Sequence, residues 1–332
     1  MDRLFDPPAF ALEWCRRLSA DPKTLEPLQG GVNSQVFRCK AGRNWHVIKG
    51  FAPKPTSGHD RFKAEVEFLA YAKMVAPEFV PELLHADEVS RSVVLEHIEG
   101  KGFQEGHSPS NYSVDQAIAF MRRLNEDQAA ARQYVSGSAA EGFLRLTEHL
   151  ENINQRLMLM GVEHIPDICK VEAQRLIDVA RHRLSILQGR TEQLLSQGHC
   201  ADTLDPQERC VSPSDFGFHN AIRTSAGVKF FDFEFAGWDD PAKTVADFDL
   251  QPRVPVSPKA QALAEALESW YERHSARRQA LSPILELKWA CIIMSVLNTS
   301  RWAEMIKIDP SQHHELALQA KLQAAKTYLQ KD

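Results

Sequence analysis

Three oxygen-bearing side chains stand at short intervals late in the sequence. Asp215 and Asn220 lie five residues apart in "SPSDFGFHN", and Asp232 follows twelve residues later in "FFDFE". Carboxylate and amide oxygens are hard ligands of the kind that Mg²⁺ takes, together with water and phosphate oxygens. Phosphoryl transfer requires a carboxylate near the incoming hydroxyl and Mg²⁺ held against the phosphates. The spacing therefore predicts Asp215 as the catalytic residue and Asn220 and Asp232 as magnesium ligands.

The letters Asp-Phe-Gly at 215–217 allow a second interpretation, in which Asp215 is itself a metal-binding aspartate of the protein-kinase type. That interpretation requires an Asp about twenty residues upstream, with an Asn five residues after it. The upstream segment "GHCADTLDPQ" offers Asp202 but has Gln207 at the required place, so we reject it. A plainer alternative is that Asp215 and Asn220 only cap a turn, as these residue types often do. Features earlier in the chain weaken that alternative.

Lys49 lies inside the apolar segment "HVIKGF", which predicts a β-strand. A lysine in a strand interior needs a partner, although an edge or solvent-facing position is the simpler explanation. On a helical wheel of the next segment, at about 100° per residue, Glu65 borders the apolar face and Glu67 faces water. Glu65, with Glu67 as the alternative, is therefore the carboxylate that could pair with Lys49 and hold it on the α- and β-phosphates of a nucleotide.

The segment "LQGGVNSQVFRC" places two adjacent glycines, Gly30 and Gly31, between two predicted strands. A glycine-rich hairpin can bring backbone N–H groups close to phosphates. We therefore assign Gly30, Gly31, Asn33 and Ser34 to nucleotide binding. An ordinary tight turn is the alternative.

The order of the predicted elements indicates an α+β, bilobal organisation. A β-rich small lobe precedes a hinge near 98–102, and a mainly helical lobe with a small embedded sheet follows, which gives domains 1–98 and 99–332. The predicted strands are 34–41, 44–51, 82–89 and 92–98, with a strand-rich island at 211–235, and the predicted helices are 59–74, 114–133, 140–158, 170–197, 258–275 and 283–305.

Composition narrows the class of protein. The 332 residues suit two lobes, and a net charge of −5 without a long basic run disfavours a nucleic-acid partner. The N-terminal segment lacks the apolar core of a secretory signal. The apolar run "WACIIMSVL" is about half of what a bilayer span needs, so we expect a buried helix and no membrane association. Six cysteines without a C-x-x-C pair indicate free thiols and a cytoplasmic location.

The motifs resemble those of the aminoglycoside phosphotransferase family, which also includes choline kinases and has a protein-kinase-like fold. The family's hallmark is His-Gly-Asp-Leu-His-x-Gly-Asn, followed after a strand by Ile-Asp-Phe/Trp-Glu-x-Ala-Gly-x-Gly-Asp-Pro. Here these segments read "PSDFGFHN" and "FFDFEFAGWDDP", and the likeness runs from about residue 28 to 248. The resemblance implies ATP and Mg²⁺ as cofactors, Asp215 as catalytic residue, Asn220 and Asp232 as metal ligands, Lys49 and Glu65 as the phosphate-binding pair, and the backbone of Glu96 and Ile98 as the adenine contact.

Two positions depart from the family pattern. The histidine expected two residues before Asp215 is Pro213, and the Asp expected after "DDPA" is Thr244. The first change removes a residue that would brace the loop, which leaves a catalytically silent nucleotide-binding module as an alternative. The three residues expected to do the chemistry are present, so we expect an active enzyme.

The expected acceptor is a hydroxyl of a small metabolite. Residues 232–249 carry six acids and one lysine, and such a wall would favour a cationic or polyhydroxylated acceptor such as a sugar, an amino alcohol or an aminoglycoside-like compound. The alternative is that these acids are solvated or cap helices. The sequence does not decide between ATP and GTP, and it leaves the oligomeric state open.

Overall fold

The computed structural model describes residues 7–28, 34–56, 58–256, 260–268, 274–308 and 314–330. Over these residues the chain is α+β, with strands concentrated before residue 103 and between 210 and 239 and helices dominating elsewhere. The α-helices are α1 (Ala9–Arg17), α2 (Arg61–Val75), α3 (Asn111–Asn125), α4 (Gln128–Tyr134), α5 (Leu146–Met158), α6 (Asp167–Ser196), α7 (Pro241–Leu250), α8 (Ala260–Glu268), α9 (His274–Ile293), α10 (Thr299–Ile308) and α11 (His314–Leu329).

The strands form three sheets of unequal size. A five-stranded antiparallel sheet has the order β1-β2-β3-β5-β4, a three-stranded sheet has the order β6-β8-β9, and β7 pairs with β10. The strands are β1 (Glu26–Pro27), β2 (Ser34–Ala41), β3 (Asn44–Phe51), β4 (Leu83–Asp87), β5 (Ser92–Glu96), β6 (Lys101–Gly102), β7 (Cys210–Ser212), β8 (Ala221–Arg223), β9 (Val228–Phe230) and β10 (Gly237–Asp239).

The hairpin of β2 and β3 has the bounds that the sequence predicts. Ala41 pairs with Asn44 at its closed end, and Gly42 in the turn has φ +62°, a left-handed conformation that glycine adopts at little cost. Strand β5 then pairs antiparallel with β3, opposing Val93 to Lys49. Lys49 consequently lies on an inner strand of the sheet, flanked on both sides.

The two faces of β3 contact different elements, because successive side chains of a strand point to opposite faces. Ile48 joins a core cluster with Trp14 and Cys15 of α1. Lys49, one residue later, points the other way, toward Glu65 of α2. The alternation of side-chain directions along β3 therefore places Lys49 on the α2 side of the sheet.

Strand β9 is shorter than the sequence indicates. The apolar segment "VKFFDFEF" predicts one strand to residue 235, but pairing with β8 ends at Phe230. Asp232 has φ +69°, in the left-handed region that interrupts an extended strand. The chain then turns at Glu234 and Phe235 before β10 begins. The acid-bearing part of the motif is thus a loop between two strands.

The helical predictions hold in outline and differ at the boundaries. The predicted helix 114–133 is two helices, α3 and α4, because Asp127 lies between them and its side chain accepts a hydrogen bond from the N–H of Ala130, as N-cap residues do. The predicted helix 283–305 is likewise divided, with α9 ending at Ile293 and α10 beginning at Thr299. Helices α1, α7 and α11 were not predicted from the sequence.

The chain divides into two compact units. Unit 1 comprises Met1–Gly142, Cys210–Asp239 and Pro252–Ala266, and unit 2 comprises Phe143–Arg209, Asp240–Gln251 and Leu267–Asp332. The predicted lobe boundary at residue 98 does not coincide with this division, because α3, α4 and the β7–β10 region group with the five-stranded sheet. That lobe boundary stays a prediction.

The core of unit 2 is built mainly from α5, α6, α9 and α11, with contributions such as Leu150, Leu176, Leu285 and Leu322. Within the described chain, one segment, Ala276–Leu297, is long and apolar enough to cross a membrane by length and composition. An apolar stretch of 18 residues within this segment is 61% buried inside the protein. The segment therefore resembles a core helix and gives only weak evidence of a membrane span.

Candidate active site

A buried lysine contacts three carboxylates in unit 1. Lys49 Nζ lies 2.5 Å from Glu65 Oε2, 2.5 Å from Asp232 Oδ1 and 3.3 Å from Glu234 Oε2. The side chains of Lys49 and Glu65 are 4% and 1% exposed. A charged group at this depth is stabilised only by opposite charges and hydrogen bonds, and here the β3 strand, helix α2 and the loop after β9 supply them.

The charges of this cluster perturb one another in opposite directions. Burial by itself lowers the pKa of Lys49, but the charges of Glu65, Asp232 and Glu234 outweigh burial and raise it. Burial raises the pKa of Glu65 to about 7, with Lys49 opposing the shift and the two other acids adding to it. Lys49 is therefore a permanent cation, and the excess negative charge around it is held at a cost in desolvation.

Helix α2 brings Glu65 to Lys49 and turns Glu67 elsewhere. The Asp60 side chain caps the helix by accepting from the N–H of Lys63 at 3.2 Å, and Arg91 forms a salt bridge to Asp60 at 2.5 Å. Glu67 instead accepts hydrogen bonds from the N–H and hydroxyl of Ser136 at 3.0 Å. The helix orientation thus selects Glu65 as the partner of Lys49.

The loop that carries Asp215 is held by its own residues. Asn220 Nδ2 donates to the backbone oxygen of Asp215 at 3.0 Å and to its Oδ2 at 3.2 Å, and His219 Nε2 lies 3.1 Å from Oδ1. Ser214, the preceding residue, has φ +65°, a strained conformation of the kind that clusters at functional sites. The Asp215 side chain nevertheless remains 40% exposed, so it is fixed in position and still faces solvent.

The environment of Asp215 favours its ionised form. Burial raises its pKa, but hydrogen bonds from His219 and Asn220, with the charge of Arg253, lower it below the usual 3.8. A carboxylate in this state accepts a hydrogen bond from a hydroxyl and orients it at neutral pH.

Asn220 and Asp232 are joined through the backbone of one hairpin. The Phe231 N–H donates to the Asn220 oxygen at 3.0 Å, and Ala221 pairs with Phe230 in the strands between them. The side-chain nitrogen Nδ2 of Asn220 donates to Asp215. The side-chain oxygen Oδ1 of Asn220 is therefore the atom that a cation would bind. The hairpin therefore fixes the two predicted metal ligands relative to each other.

The donor set fits a divalent cation. Oxygens of Glu65, Asp232 and Glu234 lie within 4.8 Å of one another, and Glu65 Oε1 is buried without a hydrogen-bond partner among the described residues. Oxygen ligands of this type are those that Mg²⁺ prefers. Asp232, one of the two residues that the sequence predicts for metal binding, thus belongs to a group with suitable chemistry.

The remaining predicted nucleotide residues divide into two sets. Gly30, Gly31 and Asn33 lie outside the described residues, and Ser34 begins β2 opposite Phe51. Glu96 ends β5, and its N–H donates to the Glu82 oxygen at 2.9 Å. The N–H of Ile98, two residues later, makes no backbone hydrogen bond within the described chain, which leaves it available to a ligand.

Two site residues, Glu234 and His59, were not predicted from the sequence. Glu234 is 2% exposed and faces Lys49, and its backbone oxygen lies 2.7 Å from His59 Nε2. Glu234 follows Asp232 by two residues, so a strand interpretation would place both acids on one face and was the available signal. His59 precedes α2 without any motif, so nothing in the sequence indicated it.

Acids between residues 232 and 249 are paired with basic side chains inside the protein. Asp232 and Glu234 contact Lys49. In unit 2, Asp240 contacts Arg277 at 2.5 Å, and Asp247 contacts Lys243 at 3.0 Å. These acids therefore belong to internal ion pairs. Their basic partners offset the negative charge on which the expectation of an acidic wall was based.

The chain has the fold of solved small-molecule kinases, including choline kinases and aminoglycoside phosphotransferases, which confirms the predicted α+β, kinase-like fold class. Neither a protein-family model nor a curated protein matches the sequence. Solved structures do match over nearly the whole chain. A choline/ethanolamine kinase family protein from Mesorhizobium loti is 16% identical, with a TM-score of 0.50 and coverage of 96% of this chain and 94% of the other.

Two aminoglycoside phosphotransferases are similar to the same extent. The ADP-bound enzyme APH(2'')-Ib is 15% identical, with a TM-score of 0.54 and coverage of 97% of this chain and 99% of the other. Spectinomycin phosphotransferase APH(9)-Ia, solved with ADP and spectinomycin, is 10% identical, with a TM-score of 0.55 and coverage of 97% and 95%. At these identities the likeness establishes the fold.

Proposed function

We propose that this protein transfers the γ-phosphoryl group of Mg²⁺-ATP to a hydroxyl of a small molecule. The observation that carries the proposal is the Lys49 ammonium, buried between Glu65 and Asp232 at 2.5 Å from each. A buried ion pair that only stabilised the fold could be replaced by apolar residues without loss. A lysine kept charged beside a group of carboxylates is instead suited to phosphates and a metal.

Each residue has a distinct part in this proposal. Lys49, oriented by Glu65, would contact the α- and β-phosphates, and the backbone of Glu96 and Ile98 would hold the adenine. Asn220 and Asp232 would hold Mg²⁺, which when bound neutralises charge on the phosphates. Gly30, Gly31, Asn33 and Ser34 are proposed to cover the phosphates. Those of these side chains that the structure describes belong to unit 1.

Asp215 acts on the acceptor. Its carboxylate would accept a hydrogen bond from the incoming hydroxyl, orient the oxygen toward the γ-phosphorus and receive the proton. The new P–O bond forms as the bond from the γ-phosphorus to the β–γ bridging oxygen breaks, and ADP leaves. Asn220 and His219 hold the carboxylate while this occurs. The 40% exposure of Asp215 leaves room for an acceptor to approach it.

The acceptor is proposed by chemical class only: a sugar, an amino alcohol or an aminoglycoside-like compound. Some neighbours carry hygromycin B or spectinomycin in their structures, which supports a polyhydroxylated acceptor by analogy of fold. The acids of residues 232–249 do not add to this support, because most of them have internal partners. The six cysteines are free thiols, which supports the cytoplasm as the compartment.

A phosphoryl-transfer screen tests the proposal directly. The wild-type protein is incubated with Mg²⁺-ATP and pooled metabolites, and phosphorylated products are detected by their added mass. The expected result is one product class, absent with Asp215→Asn and absent when Mg²⁺ is chelated. The same screen with GTP decides which nucleotide is used.

A silent nucleotide-binding module is the second candidate, and Pro213 in place of the family histidine favours it. The two functions give different outcomes in the screen. ATP binding with no product from any pool would support the silent module, whereas no ATP binding would refute both.

A further inference from the structure

His219 lies in the Asp215 loop at a position to which the hallmark motif assigns no role. It lies in a single 3₁₀ turn, Phe218–Asn220, and its side chain is 7% exposed. Its Nε2 lies 3.1 Å from Asp215 Oδ1. Its other ring nitrogen, Nδ1, is buried without a hydrogen-bond partner among the described residues. The ring therefore makes its one polar contact with the carboxylate of Asp215.

The chemistry of the contact fixes its direction. An ionised carboxylate only accepts hydrogen bonds, so the hydrogen of the imidazole must reside on Nε2. The opposite tautomer would bury an N–H at Nδ1 with no acceptor and would set two acceptors against each other at 3.1 Å, which is unfavourable. The geometry thus selects the Nε2–H tautomer of His219.

Together His219 and Asn220 hold the two carboxylate oxygens separately. His219 contacts Oδ1, and Asn220 Nδ2 donates to Oδ2 at 3.2 Å. Because each carboxylate oxygen has its own hydrogen-bond partner, rotation of the carboxylate about its Cβ–Cγ bond is restrained. The remaining lone pairs stay directed to the exposed side of the group, where a hydroxyl can approach.

The loop carries its histidine at a different position from the motif. Aligned on Asp215, the hallmark motif has histidines two residues before and two residues after the Asp, and these are Pro213 and Gly217 here. The glycine that precedes the Asn in the motif is His219 here. The loop has therefore lost both motif histidines and gained one at a site from which its ring reaches the Asp directly.

We propose that His219 is a positioning residue that fixes the Asp215 carboxylate for phosphoryl transfer and does so in place of the two motif histidines. The inference rests on the proposed function for its consequence in catalysis. Its structural content, an Nε2–H bond to Asp215, stands apart from that function. The two parts need separate measurements.

The first measurement is a comparison of His219→Phe with His219→Gln. Phenylalanine keeps a planar ring without the donor, and the glutamine amide can donate to the same carboxylate. We expect His219→Phe to lower kcat by about 10- to 100-fold, the size of one hydrogen bond to a charged group, with the KM for Mg²⁺-ATP within about twofold. His219→Gln should recover most of the loss. His182→Phe, at an exposed position of α6, serves as the matched control.

The substrate of this measurement is the acceptor found in the screen, with acceptor-free hydrolysis of Mg²⁺-ATP measured in parallel. A wild-type kcat retained by His219→Phe would overturn the inference. Equal losses in His219→Phe and His219→Gln, accompanied by a raised KM, would also overturn it, since they indicate a general disturbance of the loop.

The second measurement does not depend on activity. Long-range ¹H–¹⁵N correlation spectra of the wild-type protein report which ring nitrogen of each histidine carries hydrogen, and His219→Gln identifies the signal. We expect the Nε2–H tautomer in the wild type. In Asp215→Ala, where the hydrogen-bond acceptor is removed, we expect this tautomer to be no longer the single state. An Nδ1–H tautomer in the wild type would overturn the inference. If the screen finds no activity while the tautomer is as expected, the proposed function fails and the His219–Asp215 contact stands.

Discussion

Lys49 is a single cation among three carboxylates, and two of those, on Glu65 and Glu234, are buried with it. Such an arrangement leaves negative charge in excess, so part of it must be relieved by protonation or by a further cation. The raised pKa of Glu65, about 7 because of its burial, is the first of these responses. A divalent cation at Asp232 would be the second. Individual residues at this site are therefore matched to a bound state more closely than to the empty one.

Removal of the central cation should affect both binding and stability. Lys49→Ala leaves buried carboxylates without a counter-charge, which costs about 3–5 kcal/mol of unfolding free energy. It should also weaken ATP binding by about tenfold or more, through loss of a charged hydrogen bond. Thermal melts with and without Mg²⁺-ATP measure both effects. Lys63→Ala, on the exposed side of α2 with a 3.6 Å contact to Glu67, should change neither.

The Asp232 side chain is expected to couple nucleotide to metal. In Asp232→Ala the thermal stabilisation by ATP should no longer depend on Mg²⁺, because the metal has lost its proposed carboxylate ligand. The measurement is the ATP-induced shift in Tm with Mg²⁺ and with a chelator. A magnesium dependence as large as that of the wild type would refute the assignment of Asp232.

The Asp215 carboxylate should affect turnover without affecting nucleotide binding. Asp215→Asn keeps the shape of the side chain and removes the proton acceptor, so kcat should fall by about 10²-fold or more, the typical contribution of a positioned base. The Kd for Mg²⁺-ATP should stay near the wild-type value. Comparable losses in Kd and kcat would indicate that Asp215 belongs to the nucleotide site instead.

At the scale of elements, the sequence predicts what depends on local pattern and misses what depends on tertiary contact. The bounds of β2 and β3 follow from alternation and a glycine turn, and Glu65 follows from helical periodicity. The end of β9 at Phe230 does not, because apolar residues of "VKFFDFEF" continue beyond it. The left-handed backbone at Asp232 interrupts the strand, and no local pattern indicates it. The role of His59 depends on a carbonyl 175 positions away in sequence, which no local pattern encodes.

The segment after Asp232 is packed closely against another part of unit 1. A Cβ added at Gly237 would lie 2.5 Å from the backbone nitrogen of Ala139 and 2.5 Å from the carbonyl carbon of Ser138. Gly237→Ala should therefore destabilise the protein by about 1–3 kcal/mol, as overpacked sites do. Gly189→Ala is the matched control, since its added Cβ meets no atom within 4 Å in helix α6; it should be neutral or stabilising by about 0.5–1 kcal/mol. Chemical denaturation of both variants measures the difference.

Helix α5 carries a histidine that should make the protein less stable in mild acid. Burial, with the nearby charges of Lys288, Lys243 and Arg277, holds the pKa of His149 well below 6.5. The unfolded chain takes up this proton at about pH 6.5, so the histidine destabilises the fold as the pH falls below that value, by up to about 1.4 kcal/mol per pH unit.

The effect of His149 is measured by comparison, since Glu65 contributes with the opposite sign. Its raised pKa makes the folded state bind a proton first, which adds stability as the pH falls from about 7 toward 4.5. His149→Leu should therefore gain stability relative to the wild type between pH 7.5 and roughly 5.5, where His149 is the group removed. His182→Leu is the exposed control. A difference between wild type and His149→Leu that does not change with pH would contradict the prediction.

For the whole molecule, fold and sequence are only loosely connected. The structural neighbours cover nearly all of this chain at 10–16% identity, so a similar fold is formed by mostly different side chains. The described residues proposed for phosphoryl transfer lie in unit 1, which is assembled from three separate stretches of chain. The net charge of −5 belongs to the whole chain, buried residues included.

That charge gives a prediction about partners. A protein with net charge −5 and no long basic run releases few counterions on meeting a nucleic acid, so binding to duplex DNA should be undetectable at about 0.15 M salt. Fluorescence anisotropy of a labelled duplex, with increasing protein, measures this. A salt-dependent rise in anisotropy would show a basic surface that the net charge conceals.

The division of the chain into units has a consequence for descent. Lys49, Asp215 and Asp232 lie in unit 1, and residues 143–209 form an excursion that leaves unit 1 after Gly142 and returns to it at Cys210. Mutations, insertions and duplications within that excursion leave the residues proposed for phosphoryl transfer in place. A lineage can therefore diversify its helical excursion by many small steps, each inherited by a protein that still has the same lysine, loop and hairpin. Homologues should accordingly differ most in the length and composition of this excursion and least in the spacing from Asp215 to Asp232.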